Sequence, residues 1–171
     1  MAFILLAALA LGGGWLGQVT QPAAAVVPGA NGRIAFHSDR DGDNDIYTMS
    51  PKGELGKRGK QAKKLTRNGV HDYAPAWSPN GKKIAFTTQR DGNPEIYVMN
   101  ANGANPTRLT TNTVFDQKPA WSPDGKRIAF WAFNETITSA QIFSMAADGS
   151  NRRRLTKGSA FSIFPDWQPK P

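Results

Sequence analysis

No cysteine occurs in the 171 residues. That excludes a disulfide framework, a thiolate zinc site and a cysteine nucleophile. Histidine is nearly as scarce, with His37 and His71 the only two, too few for a multi-histidine metal centre. No segment sustains the 3.6-residue apolar period of an amphipathic helix. A Gly-x-Ser-x-Gly nucleophile elbow is also missing, and with it the α/β-hydrolase chemistry that the motif serves. Acids are outnumbered: 13 against 21 lysines and arginines, a net charge of +8. Lys52, Lys57, Arg58, Lys60, Lys63, Lys64 and Arg67 face only Glu54 in their stretch, so most of the excess sits in one loop.

The first apolar run, residues 2–11, is too short for a membrane span of about 20 residues and is broken by three glycines at 12–14. Small residues follow, ending in Ala23-Ala24-Ala25. This pattern predicts a secretory signal peptide over residues 1–25, cleaved near Ala25, and hence a periplasmic or secreted chain. No lysine or arginine precedes the run, so an uncleaved anchor is the second reading, and it would be the chain's only link to a membrane.

Four signatures recur in fixed order. Ile-Ala-Phe stands at Ile34, Ile84 and Ile128, followed by Ile46-Tyr47-Thr48-Met49, Ile96-Tyr97-Val98-Met99 and Ile142-Phe143-Ser144-Met145. Leu-Thr then occurs at Leu65, Leu109 and Leu155, and a Pro-x-Trp at Pro75, Pro119 and Pro165. The order never changes, which defines a repeat with a basic period of about 44 residues. In the second repeat the reading is four strands: 76–78, 83–88, 95–100 and 106–110. Ser78-Pro79-Asn80-Gly81, Asp91-Gly92 and Asn102-Gly103 lie between them as tight-turn chemistry. Both faces of Ile84-Ala85-Phe86 and Ile96-Tyr97-Val98-Met99 are apolar, so each sheet is expected to lie between two others. The fold class is therefore all-β: four-stranded antiparallel sheets stacked as propeller blades.

Pro119-Ala120-Trp121-Ser122-Pro123-Asp124-Gly125-Lys126-Arg127-Ile128-Ala129-Phe130 resembles the repeat of TolB-like β-propellers. So does Arg90-Asp91-Gly92-Asn93-Pro94-Glu95-Ile96-Tyr97-Val98-Met99. The resemblance covers about residues 31–168. It implies a non-enzymatic binding scaffold of the cell envelope with protein partners. The same repeat occurs in propellers of prolyl-oligopeptidase relatives and tricorn-type proteases, so the alternative is the accessory propeller of a peptidase whose catalytic domain is absent here.

Residues 26–171 supply three blades, and propellers use about four to eight. The first repeat lacks a Pro-x-Trp strand at its start, and the chain carries a spare one at Pro165-Asp166-Trp167. The offset predicts that the last strand completes a first blade. A homodimer would do this twice and close a six-bladed ring; a fragment of a larger propeller is the other expectation.

Trp77, Trp121 and Trp167 recur once per repeat and are expected to pack between blades, with sugar or peptide stacking the minor reading. The segments leading into those strands, His71-Asp72-Tyr73, Phe115-Asp116-Gln117 and Phe161-Ser162, are expected to line one mouth of the channel and bind a partner or ligand. A structural hydrogen bond is the other role for Asp72 and Asp116. Residues 39–45 mimic a calcium loop but lack its closing bidentate glutamate and read as a hairpin. The expectation is no catalytic residue, no metal and no cofactor. The lysine-rich loop at 50–64 and Arg152-Arg153-Arg154 read as a solvated outer rim, or as contacts to anionic envelope polymers or lipid. Nucleic acid is not an expected partner, since no aromatics interleave with the basic run. The third repeat replaces Arg-Asp-Gly-Asn by a longer loop after Trp131, a place for recognition particular to this chain.

Overall fold

The structure is a computed structural model that describes residues 32–51 and 62–169. The expected signal peptide and most of the lysine-rich loop lie outside the described residues.

Strand-forming residues and turn residues alternate along the chain, and the backbone follows them. The strands are β1 (Ile34–Ser38), β2 (Asp45–Met49), β3 (Lys63–Lys64), β4 (Asp72–Trp77), β5 (Lys83–Thr88), β6 (Glu95–Asn100), β7 (Thr107–Arg108), β8 (Asp116–Trp121), β9 (Arg127–Phe133), β10 (Ala140–Ala146) and β11 (Arg153–Arg154). They form three antiparallel sheets: β1-β2-β3, β4-β5-β6-β7 and β8-β9-β10-β11. We call these blades one, two and three.

Period-two alternation sends one set of side chains to each neighbouring blade. Ile84 and Phe86 of β5, with Tyr97 and Met99 of β6, pack against Ile46 of blade one. Ala85 and Ile96, on the opposite face of blade two, pack against Ile128, Phe130 and Met145 of blade three. Blade two is thus covered on both sides, which explains why its strands are apolar on both faces. Leu65 and Leu109 close the outer edges of the two interfaces.

The turns explain the glycines. In blade two the Gly81 N–H donates to the Ser78 carbonyl at 2.8 Å. The Ser78 hydroxyl donates to Asn80 at 2.8 Å and accepts from the Lys83 N–H at 2.9 Å. Ser122, Asp124 and Arg127 repeat this arrangement in blade three. The outer hairpins do more. A Cβ on Gly103 would stand 2.8 Å from the Leu65 carbonyl oxygen, and one on Gly149 2.8 Å from that of Leu109. Each glycine lets its blade approach the preceding one.

Two boundaries differ from expectation. The innermost strand starts at Asp72 and Asp116, four residues earlier than expected, because pairing continues across a register break at Ala74 and Lys118. Both residues have positive φ, 52° and 53°, and both precede a proline that masks the strand in the sequence. The outer strand is only two residues long. The Thr110 hydroxyl, rather than a backbone carbonyl, accepts the Ile96 N–H at 2.9 Å and ends the ladder.

The terminal Pro-x-Trp segment does not complete blade one within the chain. It forms no strand, and it lies on blade three, where the Trp167 indole N–H donates to the Ala120 carbonyl at 3.0 Å. Among the described residues, blade one touches blade two only. The molecule is an open arc of three blades.

Candidate functional site

The segments that lead into the innermost strands gather at one end of the arc. Each is fixed by a recurring backbone bond to the preceding blade or sheet. Asp72 N–H donates to Asn44 O at 2.6 Å, Asp116 N–H to Pro94 O at 2.9 Å, and Ser162 N–H to Ala140 O at 2.8 Å.

Within these segments the aspartates and their neighbours part company. Asp72 and Asp116 are fully buried. Asp72 accepts from Asn68 at 3.0 Å and from Arg90 at 3.3 Å. Asp116 accepts from Asn112 and, at 3.0 Å, from Arg152. Burial pushes the Asp116 carboxyl up to about 6, against the opposing pull of the Arg152 charge and the Asn112 hydrogen bond. These carboxylates anchor their loops, with both oxygens of each engaged by a donor.

The flanking side chains are the accessible ones. His71 Nδ1 accepts from the Asn44 N–H at 3.2 Å on an exposed surface. The Tyr73 ring meets His37 edge-on at 6.5 Å, and burial raises its phenol. Phe115 and Phe161 are brought together by Phe133, whose ring lies 5.9 Å from the first and 6.2 Å from the second. Trp131 abuts Phe133 at 5.1 Å and Phe164 at 6.3 Å, and the Lys118 ammonium sits 3.9 Å above the Phe164 ring. Phe161 and Phe164 remain more than half exposed. Gln117 stays in the ladder opposite Trp131. Phe133 was not singled out from the sequence; it stands where blade two has Gln89, and only the alternation of β9 put it on one face with Trp131.

The other singled-out residues have structural partners. Trp77 packs on the cluster between blades one and two, and Trp121 on the cluster between blades two and three. The acidic hairpin of residues 39–45 uses Asp41 to accept from the Tyr47 hydroxyl at 2.6 Å and from Lys64 at 3.2 Å. Those two hydrogen bonds lower the Asp41 carboxyl. Asp91 repeats this with the Tyr97 hydroxyl at 2.6 Å. Burial, and then Asp91, push the Tyr97 phenol up to about 12. The Leu-Thr signature also has a local meaning. Thr66, Thr110 and Thr156 donate to Asp45, Glu95 and Gln141, capping the start of β2, β6 and β10.

One cation was missed. Arg40 and Arg90, from the inner hairpins, lie 4.5 Å and 4.7 Å above Tyr47 and Tyr97. Blade three has no arginine in that hairpin, and Arg152 reaches in from the outer hairpin to sit 4.4 Å above Phe143. Its presence in a run of three arginines hid the one that is inserted.

Four-stranded antiparallel sheets stacked face to face about an open arc, with loops gathered at one end, define a β-propeller segment. The chain matches the TolB beta propeller domain family (PD40) over residues 57–171 and belongs to it. It is 34% identical over 95 residues to a protein named TolB homolog from Chlorobium luteolum, covering 54% of this chain and 20% of that one. It is 38% identical over 66 residues to the Tol-Pal system protein TolB of Desulfosudis oleivorans, covering 39% of this chain and 14% of the relative. The solved structure of a TolB from Agrobacterium tumefaciens, described there as putative, superposes with a TM-score of 0.63 at 23% identity. That match covers 71% of this chain and 44% of the other. The alignments thus span a fifth or less of these two relatives and under half of that solved chain. Solved peptidases and oligogalacturonate lyases share the fold as well, at identities that speak for the fold alone.

Proposed function

We propose that this chain is an exported, non-enzymatic propeller scaffold of the cell envelope, periplasmic in location, whose channel mouth holds a protein partner. The observation that carries this is the aromatic surface at the mouth, with Phe161 left exposed against Phe133 and Phe115 alongside. Aromatic side chains left open on a rigid rim characterise protein interfaces. His71, Tyr73 and Gln117 add polar edges to the same end. Likeness to Tol-Pal system proteins supports the envelope, and the signal-like residues 1–25 support export. Closure of the arc by a second copy is part of this reading.

Photo-crosslinking in cells of the source organism tests it. A photoreactive residue at Phe115 or Phe161 is expected to capture an envelope protein, and one at Lys126, in a turn at the opposite end, is not. Equal capture at Lys126, or none at the mouth, overturns the reading.

A further inference from the structure

The interface between blades two and three is built differently from the one before it. Asp72 pairs with Thr88 and Asp116 with Ala132, so Asn134 stands where Arg90 stands. By the pairing of the outer strands, Phe143 stands for Tyr97 and Arg152 for Pro106. Arg90 runs from the inner hairpin to Asp72 at 3.3 Å and lies 4.7 Å above Tyr97. Arg152 reaches Asp116 and Phe143 from the outer side instead. Nothing of an arginine's length rises from position 134. Asn134 turns back on its own hairpin and accepts from the Thr138 and Ser139 N–H groups at 2.8 and 3.0 Å.

A cleft of about 500 Å³ opens at this place, within the size range of ligand sites. Its lining includes residues 112–114 of the loop into β8, residues 134–136 of the third-blade hairpin, Phe143 and Arg152. All of these belong to blades two and three. Glu135 is exposed in this lining. Its counterpart after Arg90 is Asp91, which accepts from the Tyr97 hydroxyl at 2.6 Å and pairs with Arg108 at 3.4 Å. Phe143 has no hydroxyl to offer, and among the described residues the Glu135 carboxylate has neither a hydrogen bond nor an ion pair. Arg152 is already paired with Asp116. The cleft therefore combines an apolar lining, from Val114 and Phe143, with one carboxylate in excess.

We propose that this cleft takes a lysine or arginine side chain of the protein partner held at the mouth, with its stem along Val114 and Phe143 and its cation on Glu135. The partner's side chain then fills from outside the space that Arg90 fills from within, one interface earlier. Charge decides against an acidic side chain. Asp116 and Glu135 outnumber Arg152, and an entering carboxylate meets Glu135 with no unpaired cation in the lining to balance it. An ammonium or guanidinium gains the ion pair while its alkyl stem stays on apolar surface. The inference rests on reading the mouth as a partner-binding surface, and it names one chemical element of that partner.

Blocked tripeptides with a central lysine, arginine, norleucine or glutamate, titrated into the isotope-labelled full chain, test the cleft directly. The lysine and arginine peptides are expected to shift the backbone amides of Thr113, Glu135 and Thr136, and the norleucine and glutamate peptides to leave them in place. Glu135→Gln, at an exposed position, should keep the melting temperature and weaken the lysine peptide about fivefold, the upper range for an exposed ion pair. Glu135→Lys should turn the preference towards the glutamate peptide. Equal shifts with norleucine, a preference for glutamate in the parent chain, or no shift with any peptide would each overturn the proposal. The photoreactive residue at Phe115 separates the cleft from the wider reading. Capture that falls in Glu135→Gln supports the cationic anchor. Undiminished capture in that variant overturns the anchor and spares the scaffold. Lysine selectivity without capture in the parent chain upholds the cleft and sinks the scaffold.

Discussion

Arg152 donates to the buried carboxylate of Asp116 at 3.0 Å while its guanidinium lies 4.4 Å above the Phe143 ring. One side chain, rooted in the outer hairpin, thus does for blade three what Arg90 does for blade two from the inner hairpin. Arg152→Ala leaves Asp116 buried with only Asn112 and nearby hydroxyls to stabilise its charge. Because Arg152 is one-third exposed, the loss is expected near 1–3 kcal/mol rather than the larger cost of breaking a wholly buried pair. Arg153→Ala, on an exposed two-residue strand, should fall within about 0.5 kcal/mol. Urea unfolding of the two variants separates them.

The Asp116 carboxyl gives the arc a pH dependence of definite sign. Its folded value, about 6, lies above the 3.8 of a free aspartate, with desolvation the largest cause. A raised acid binds its proton more tightly when folded. Its contribution to stability is therefore complete below about pH 4 and is lost as pH rises through 6. The difference is on the order of 3 kcal/mol at most. Melting temperatures from pH 4 to 7 should fall less steeply in Asp116→Asn than in the parent. An identical slope in both would remove Asp116 as the cause.

Much of this was legible in the residues, for a physical reason. Ile-Ala-Phe and Ile-Tyr-x-Met are apolar on both faces, and only stacked sheets satisfy both at once. β5 and β6 accordingly begin and end where the sequence placed them. The innermost strands were read short because Pro75 and Pro119 signal a break, whereas the positive φ of Ala74 and Lys118 turns the break into a bulge. The site was less legible. For Asp72 and Asp116 the sequence offered both a binding role and a structural hydrogen bond, and it is their burial and their pairing with Arg90 and Arg152 that show them holding loops together. Phe133 and Arg152 act through neighbours distant in sequence, which no local motif announces.

Gly103 is a sharper test of blade spacing than any core residue. A Cβ there meets the Leu65 carbonyl oxygen at 2.8 Å, and φ is +94°. Gly92 has a similar φ, +97°, with nothing within 4 Å of its Cβ. Gly92→Ala therefore isolates backbone strain, about 1–3 kcal/mol. Gly103→Ala adds the cost of pushing two blades apart, about 1–3 kcal/mol more. Equal melting temperatures for the two variants would show that the blades yield without cost.

The tryptophans divide by their indole nitrogens. Trp77 and Trp121 are packed on inter-blade clusters, and their buried Nε1 atoms have no hydrogen-bond partner. Truncation of either to alanine is expected to cost about 3–5 kcal/mol, from lost burial and the cavity left behind. Phenylalanine at these two positions gives up no hydrogen bond and should recover most of that. Trp167 differs, since its Nε1 holds the Ala120 carbonyl at 3.0 Å. Trp167→Phe should cost little in global unfolding. It should release the terminal segment, read as faster amide exchange at Ser162, whose N–H is otherwise held by Ala140 at 2.8 Å. Unchanged exchange at Ser162 would mean that the segment is held by its aromatic contacts to Trp131 and Phe133 rather than by the indole.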